Sequence, residues 1–203
     1  REYEGGIGRL WRRQDSPPAV TAYLSIIRDF NGGGDLRRYP GSPSLALALQ
    51  RPGDRLSLFE LHPTDFEQLE KYAAGHRGVK AVRADGLREC VGLVPPAERR
   101  GLILMDPSYE IKTDYTRVAE PLQRLYRRFA TGIYALWYPV IERRRVAGLE
   151  RAVRDAGISD AHLFELTVRP DGSGGMSGSG MILVNPPWTL AGEMAAALPY
   201  LAE

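Results

Sequence analysis

The chain has 203 residues, a formal net charge of +2 and a hydrophobic content of 43%. This length is sufficient for a domain with a buried core, and this composition excludes an intrinsically disordered polypeptide. No apolar run reaches the ~18 residues of a transmembrane helix and no secretory leader is visible, so we expect a cytoplasmic protein without a membrane partner. One cysteine, Cys90, excludes an internal disulfide. With only three histidines beside it, we expect no metal site.

The first segment, residues 1–35, has a helical pattern. Val20, Leu24 and Ile27 recur at helical spacing, and the glycines that follow Asn31 end the pattern. We therefore expect a small helical subdomain at 1–35 and the core of the protein at 36–203. Ser42, which precedes a proline, predicts the N-cap of the next helix.

From there strands and helices alternate. We predict strands at 56–61, 79–84, 101–105, 132–140, 162–169 and 180–184, and helices at 65–74, 116–128 (with a kink at Pro121) and 141–156. Such alternation indicates an α/β fold with a mostly parallel sheet covered on both faces. The last two strands are joined by a glycine-rich loop without a helix, which predicts an antiparallel C-terminal strand.

The third strand ends in Asp106-Pro107-Ser108-Tyr109. This tetrapeptide resembles the Asp/Asn-Pro-Pro-Tyr/Phe motif of amino-group methyltransferases, with Ser108 in place of the second proline. An exocyclic amine is a poor nucleophile because its lone pair is delocalised into the ring. We expect Asp106 and the Pro107 carbonyl to accept its two N–H bonds, and Tyr109 to stack on an extruded base. The alternative is a simple Asp-Pro turn.

Two earlier strands also end in acids. Glu60 lies near the end of the first strand, where nucleotide-binding sheets place an acid for ribose hydroxyls, and Asp85-Gly86 follows the second strand, where an acid and a tight turn can receive an adenine edge. Taken singly, an acid in such a position is more often a solvated acid or a helix cap. Three successive strands that end in an acid favour a shared cofactor site.

A second tetrapeptide, Asn185-Pro186-Pro187-Trp188, matches the motif more literally. It follows the antiparallel strand at the far end of the chain. We interpret it as a structural turn; the alternative is that it lines the substrate pocket.

Several longer stretches are similar to the RlmJ family, bacterial 23S ribosomal RNA adenine-N6 methyltransferases. They are Tyr-Pro-Gly-Ser-Pro (39–43), Glu-Leu-His-Pro (60–63), 80–86, 100–110 with Lys-Thr-Asp-Tyr (112–115), Arg-Phe-Ala-Thr-Gly-Ile-Tyr-Ala-Leu-Trp-Tyr-Pro (128–139) and 179–188. The resemblance covers essentially the whole chain.

The resemblance implies a Rossmann-like class I methyltransferase fold with a small helical insertion, which residues 1–35 would supply. It implies the cofactor S-adenosylmethionine, bound by Ser42, Glu60, Asp85, Gly86 and Asp106. By the same resemblance the catalytic residues are Asp106, Pro107 and Tyr109, and the substrate contacts are Ser108, Tyr109 and Lys112. Ser42 is equally a helix cap. His62 is expected to begin a helix rather than to act in catalysis.

The resemblance also implies a first strand and a glycine-rich loop ahead of Arg1; we expect both to be absent from this sequence, and residues 1–203 to bind the cofactor weakly. The expected partner is 23S ribosomal RNA, protein-free or partly assembled, and the expected state is a monomer. Two arginine clusters are either phosphate contacts or solvated helix faces: 124/127/128 and 143–145. Two alternative functions stay open, an adenine-N6 DNA methyltransferase and a non-catalytic nucleic-acid-binding protein involved in the use of external DNA.

Overall fold

The computed structural model describes residues 2–109, 114–172 and 174–203. They form two compact units, Arg1–Gly86 and Leu87–Glu203. None of the helices in these ranges is long and apolar enough to cross a membrane.

The first unit combines helices with a two-stranded parallel sheet. Its elements are α1 (Glu2–Gly5), α2 (Ile7–Leu10), α3 (Pro18–Phe30), α4 (Ser42–Ala48), β1 (Leu56–Glu60), α5 (Pro63–Ala74) and β2 (Val79–Arg83). The predicted helical segment thus contains three helices. The predicted boundary between residues 35 and 36 stays a prediction.

Helix α3 forms because its sequence has one apolar face and defined ends. Pro18 occupies the first turn, where its missing N–H costs no hydrogen bond, and Leu24 and Ile27 are fully buried. Asn31 ends the helix. Its side-chain amide donates to the carbonyls of Ile27 and Arg38, and its oxygen accepts the Arg38 N–H. One side chain therefore ends α3 and holds the chain that leaves it.

Strands β1 and β2 are parallel, and α5 connects them. The register pairs Leu56 with Val79 and Glu60 with Arg83, so both carboxyl ends lie at the same edge. Gly86 lies against β1, because a Cβ there would be 2.8 Å from the Cβ of Phe59. A side chain at position 86 would therefore force this turn away from the strand.

The second unit contains a four-stranded mixed sheet. Its elements are α6 (Gly86–Glu89), a 3₁₀ turn (Cys90–Leu93), β3 (Leu102–Met105), α7 (Asp114–Arg117), α8 (Ala119–Arg128), β4 (Ile133–Val140), α9 (Arg143–Asp155), β5 (Ala161–Thr167), β6 (Gly178–Val184) and α10 (Leu190–Ala202). The strand order is β3-β4-β6-β5. Strands β3, β4 and β5 run in one direction, and β6 is antiparallel to both of its neighbours.

Strand β4 forms the centre of the core. Its side chains are buried on both faces, which explains its continuous apolar sequence. Leu122 from α8 and Leu149 from α9 are fully buried in the same cluster, and each contributes about 1.5–3 kcal/mol of transfer free energy. Gly180 of β6 leaves space for the Tyr138 ring, because a Cβ at position 180 would lie 2.2 Å from that ring.

The α/β fold and the antiparallel strand predicted from the sequence are confirmed, and each observed strand begins and ends within two residues of its predicted bounds. The single kinked helix predicted at 116–128 is wrong: α7 and α8 are separate helices. Pro121 is the third residue of α8, in the first turn, where no intrahelical N–H bond is lost, so it does not kink the helix. Helix α10 was not predicted, because its apolar sequence contains Pro199 and has no clear polar face.

Candidate active site

The carboxyl ends of β3, β4 and β5 share one edge of the four-stranded sheet, here called the carboxyl edge. Met105 pairs with Leu136 in the parallel ladder. Gly178, the first residue of β6, pairs with both Val140 and Thr167. In open α/β sheets this edge is where ligands bind. The Asp-Pro-Ser-Tyr corner (residues 106–109) follows β3 directly at the carboxyl edge.

Asp106 begins the corner, immediately after the buried Met105. Its carboxylate is exposed and makes no hydrogen bond or ion pair with another described residue. The surrounding protein nevertheless removes part of its hydration, which raises the pKa of Asp106 above its ordinary value. A carboxylate with free lone pairs and a raised pKa is suited to accept hydrogen bonds and a proton.

Tyr109 closes the corner in a left-handed backbone conformation, with φ of +52°. Its hydroxyl donates to the carbonyl of Trp137 at 2.6 Å, and its ring centroid lies 4.7 Å from that of Tyr115. The side chain is only 5% exposed. In this structure Tyr109 therefore connects the corner to β4. Stacking of its ring on a base stays a prediction, and it requires that the ring be uncovered.

Tyr115 is a supporting residue whose role the sequence did not reveal. Its hydroxyl donates to the carbonyl of Pro139 at 2.8 Å, and the guanidinium of Arg145 lies 6.0 Å from its ring centroid. Burial is the main cause that raises the pKa of Tyr115. Tyr109 and Tyr115 thus donate hydrogen bonds to two carbonyls of β4 that are two residues apart. The aromatic residue in the Lys-Thr-Asp-Tyr stretch was the available signal.

An ionic cluster around Arg143 lies at the same edge. Its Nη1 contacts Glu165 Oε1 at 2.5 Å, and its Nε contacts Asp171 Oδ2 at 2.7 Å. The hydrogen bond from Arg143 lowers the pKa of Asp171. Ser177, which is buried, donates its N–H to the Val140 carbonyl. These contacts fasten both ends of the glycine-rich loop between β5 and β6 to the end of β4.

Ion pairs account for part of the two arginine clusters, which the sequence left open as phosphate contacts or solvated helix faces. Arg143 pairs with two acids, Arg145 with Glu142, and Arg124 with Glu120. Arg144 is exposed and makes no ion pair with a described residue. Three of the six arginines in the two clusters therefore pair with an acidic side chain.

Three of the predicted cofactor residues, Glu60, Asp85 and Gly86, lie near the ends of β1 and β2. Glu60 Oε1 accepts the N–H of His62 at 2.7 Å, which fixes the turn after β1 and leaves its second oxygen available. Close packing against Phe59 holds Gly86 beside the same strand. Glu60 and the Asp85-Gly86 turn therefore lie at one edge of one small sheet.

Two residues near the helix starts have different outcomes. His62 is the N-cap of α5, as predicted, and its ring contacts Asp65 at 3.5 Å. Ser42 as an N-cap is wrong: Gly41 is the N-cap of α4, and Ser42 is its first residue. Gly41 has an extended backbone and belongs to a residue type that is favoured at N-caps, so the helix begins one residue earlier than the sequence suggested. Cofactor contact by Ser42 stays a prediction.

The structure brings Ser108 together with Asp106, Pro107 and Tyr109 in one corner, and it places Ser42, Glu60, Asp85 and Gly86 in the first unit. Lys112 lies outside the described residues. In the described ranges no group of three or more His, Cys, Asp or Glu side chains could hold a metal ion.

The second tetrapeptide lies at the opposite edge of the sheet, because β6 is antiparallel to β4. The side-chain amide of Asn185 donates to the carbonyls of Ala130 and Gly132, each at 2.7 Å, with φ of +51° at Asn185. Trp188 is 92% exposed. Asn185 thus makes a structural turn, as interpreted from the sequence.

Comparisons with known proteins show the family to which the chain belongs. The family model described as ribosomal RNA large subunit methyltransferase D, RlmJ, matches residues 1–203. Ribosomal RNA large subunit methyltransferase J of Escherichia coli strain K12 is 44% identical over 201 residues, 98% of this chain and 72% of that protein. Its counterpart in Haemophilus influenzae is 43% identical over 204 residues, 100% of this chain and 73% of that protein.

Solved structures give the same picture of the fold. A crystal structure of a protein from Legionella pneumophila has a TM-score of 0.91 and 36% identity, and the match covers 98% of this chain and 75% of that one. The METTL16 methyltransferase domain has a TM-score of 0.51 at 15% identity, with 84% and 70% of the two chains covered. The second likeness concerns the fold alone.

Proposed function

The chain belongs to the RlmJ family of ribosomal RNA large subunit methyltransferases, and from this premise we propose that it methylates the exocyclic N6 amine of an adenine in 23S ribosomal RNA. The observation that carries the proposal at the site is the Asp-Pro-Ser-Tyr corner at the carboxyl edge. There the partly desolvated carboxylate of Asp106, which has no partner among the described residues, follows the buried Met105.

Asp106 would accept one N–H of the amine, and the Pro107 carbonyl the other. Two acceptors in fixed positions localise the nitrogen lone pair away from the ring, which makes the amine a better nucleophile. As the N–C bond to the methyl group forms, the bond between that group and the sulfonium sulfur of the donor would break, and N6 would lose a proton. Asp106 is the acceptor nearest to it in this arrangement, and its raised pKa favours that transfer.

The rigidity of the corner comes from β4. Tyr109 and Tyr115 each donate a hydrogen bond to a carbonyl of this strand, so the corner cannot shift without breaking buried contacts. A displacement of about 1 Å in such a site can cost about 10²-fold in rate. These residues are therefore positioning residues for Asp106.

The methyl donor is S-adenosylmethionine, which supplies a methyl group made electrophilic by a sulfonium. The first unit has residues that fit its nucleoside. The Glu60 oxygen that accepts no hydrogen bond from a described residue suits ribose hydroxyls. Gly86 has no side chain, which allows the turn at Asp85 to lie close against Phe59. Ser42 and Asp106 complete the proposed contact set.

The proposed substrate is 23S ribosomal RNA, protein-free or partly assembled, with Ser108, Tyr109 and Lys112 as contacts, and the protein acts as a cytoplasmic monomer. The family match favours RNA over DNA. The two alternatives are methylation of adenine in DNA and nucleic-acid binding without catalysis.

One experiment separates these possibilities. The protein is incubated with methyl-labelled S-adenosylmethionine and either 23S ribosomal RNA transcript or DNA of the same sequence, and the product nucleosides are identified by mass spectrometry. We expect N6-methyladenosine from RNA alone. Label in DNA alone would support the first alternative, and binding of RNA with no label in either polymer would support the second.

A further inference from the structure

A polar cleft of about 580 Å³ lies in the helical part of the first unit, between the segment after α2 and helix α3. Its walls include Trp11, Arg12, Arg13, Gln14, Thr21 and Arg28. Apart from Trp11, all of these side chains are polar or charged. The cleft thus differs from an apolar groove that docks a hydrophobic peptide.

Trp11 and Arg28 hold each other in position in the cleft. The guanidinium of Arg28 lies 5.6 Å from the ring centroid of Trp11, and its Nη2 donates to the Trp11 carbonyl at 3.1 Å. That bond uses one of the five N–H donors of the guanidinium and none of its charge. Arg28 is therefore a pre-positioned donor with capacity for an anionic acceptor.

The charge of the cleft is positive. Arg13 is neutralised by Asp15, which accepts from its Nε and Nη2 at 3.0 and 2.9 Å. Arg28 makes no ion pair, and Arg12 is exposed and makes neither a hydrogen bond nor an ion pair with a described residue. Two uncompensated guanidinium groups thus face one cavity.

We propose that this cleft binds the sugar–phosphate backbone of the substrate RNA, away from the methylated base; the inference rests on the proposed function. Arg12 and Arg28 would contact phosphates, since guanidinium groups match phosphate oxygens in pairs. The Gln14 amide is suited to a 2′-hydroxyl, and Trp11 offers an aromatic surface for an unpaired base. The helical segment then adds RNA affinity that the Asp-Pro-Ser-Tyr corner does not provide.

The test compares Arg12→Glu with Arg77→Glu in the whole protein. Both residues are exposed and lie in the first unit, but Arg77 is outside the cleft. RNA affinity is measured by fluorescence anisotropy with a labelled 23S fragment at several salt concentrations. We expect Arg12→Glu to weaken binding about tenfold or more and to reduce the salt slope by about 0.7–0.9. Arg77→Glu should change affinity less than about twofold.

Arg28→Lys supplies a second measurement that keeps the charge but removes the planar group stacked on Trp11. It should weaken binding with a smaller change in salt slope, and circular dichroism checks that the helices remain. Wild-type affinity and slope for both cleft variants would overturn the proposal.

The steady-state KM for RNA separates this inference from the proposed function. We expect a higher KM for Arg12→Glu and an unchanged KM for Arg77→Glu. If the unmodified protein methylates 23S RNA but the cleft variants keep its KM, the cleft assignment fails alone. If RNA binding depends on Arg12 but no methyl group is transferred, the proposed function fails and the cleft assignment stands.

Discussion

Two tetrapeptides of nearly the same type follow strands of one sheet but differ in which of their side chains are buried and bonded. Among the described residues Asp106 has no side-chain partner, and Tyr109 is buried. At the second tetrapeptide the Asn185 amide donates to two carbonyls, and Trp188 is almost fully exposed. The strands run in opposite directions, so the first corner lies at the carboxyl edge and the second at the other. The motif alone therefore does not place its residues at the carboxyl edge; the direction of the preceding strand does.

The largest effect should come from Asp106→Asn. We expect methyl transfer to fall about 10²–10⁴-fold, because an amide cannot accept the proton of the amine. Asp160→Asn is the matched control, since that acid is exposed near the opposite edge. Initial rates with labelled cofactor and 23S RNA measure both. A variant at residue 106 that keeps more than a tenth of the wild-type rate would contradict the role given to this carboxylate.

Asn185→Ala should instead damage the fold. It leaves the carbonyls of Ala130 and Gly132 without their donor and forces alanine into a left-handed backbone, so we expect the free energy of unfolding to fall by about 2 kcal/mol. Urea unfolding measures it. Asn185→Gly should recover the part of the loss that is due to backbone strain. A loss of rate per folded molecule without a loss of stability would show that this corner does take part in the reaction.

The pH profile should distinguish the two corners further. Only the ionised carboxylate of Asp106 accepts a proton, so kcat/KM should rise about tenfold per pH unit up to the raised pKa of Asp106 and then level off. Partial loss of hydration raises the pKa of Asp106, so the folded protein favours the neutral carboxyl group. The stability that results is present below the ordinary pKa of 3.8 and is lost as pH rises through the pKa of the folded state. Asp106→Asn should therefore be at least as stable as the wild type at neutral pH. A rate that is independent of pH would oppose the assignment.

The smallest effects come from the aromatic residues. Tyr109→Phe removes the hydrogen bond to the Trp137 carbonyl and should cost about 1 kcal/mol of unfolding free energy, with a lower kcat because the corner loosens. Trp188→Phe should stay within about 0.5 kcal/mol of the wild type, as expected for an exposed side chain. Thermal unfolding compares the pair directly. Equal losses for the two variants would remove the distinction between a buried anchor and an exposed ring.

Much of the fold was predictable because its signals are local. The apolar runs that become β1, β2 and β3, and the helical spacing in α3, depend on neighbours in the chain. Asp106, Glu60 and Asp85 were found for the same reason, since strand ends can be located from the pattern. The hydrogen bond from the His62 N–H to Glu60 Oε1 was not predictable, because it depends on the turn that follows β1.

Contacts between distant residues were out of reach. The Tyr109–Trp137 bond spans 28 positions, and the cluster of Arg143 with Glu165 and Asp171 joins residues 22 and 28 positions apart. The same arginine triplet looked from the sequence like a phosphate contact or a solvated face. Only the packing of α9 against the ends of the strands shows which of its charges have partners.

The sequence by itself determined the order of strands and helices, the family resemblance and the acids at three strand ends, because periodicity and turn chemistry act over a few residues. The tertiary structure decided which tetrapeptide lies at the carboxyl edge, that Tyr109 is an anchor, and that Arg12 and Arg28 share a cleft. Those facts depend on strand direction and on burial, and both arise only when distant parts of the chain pack together.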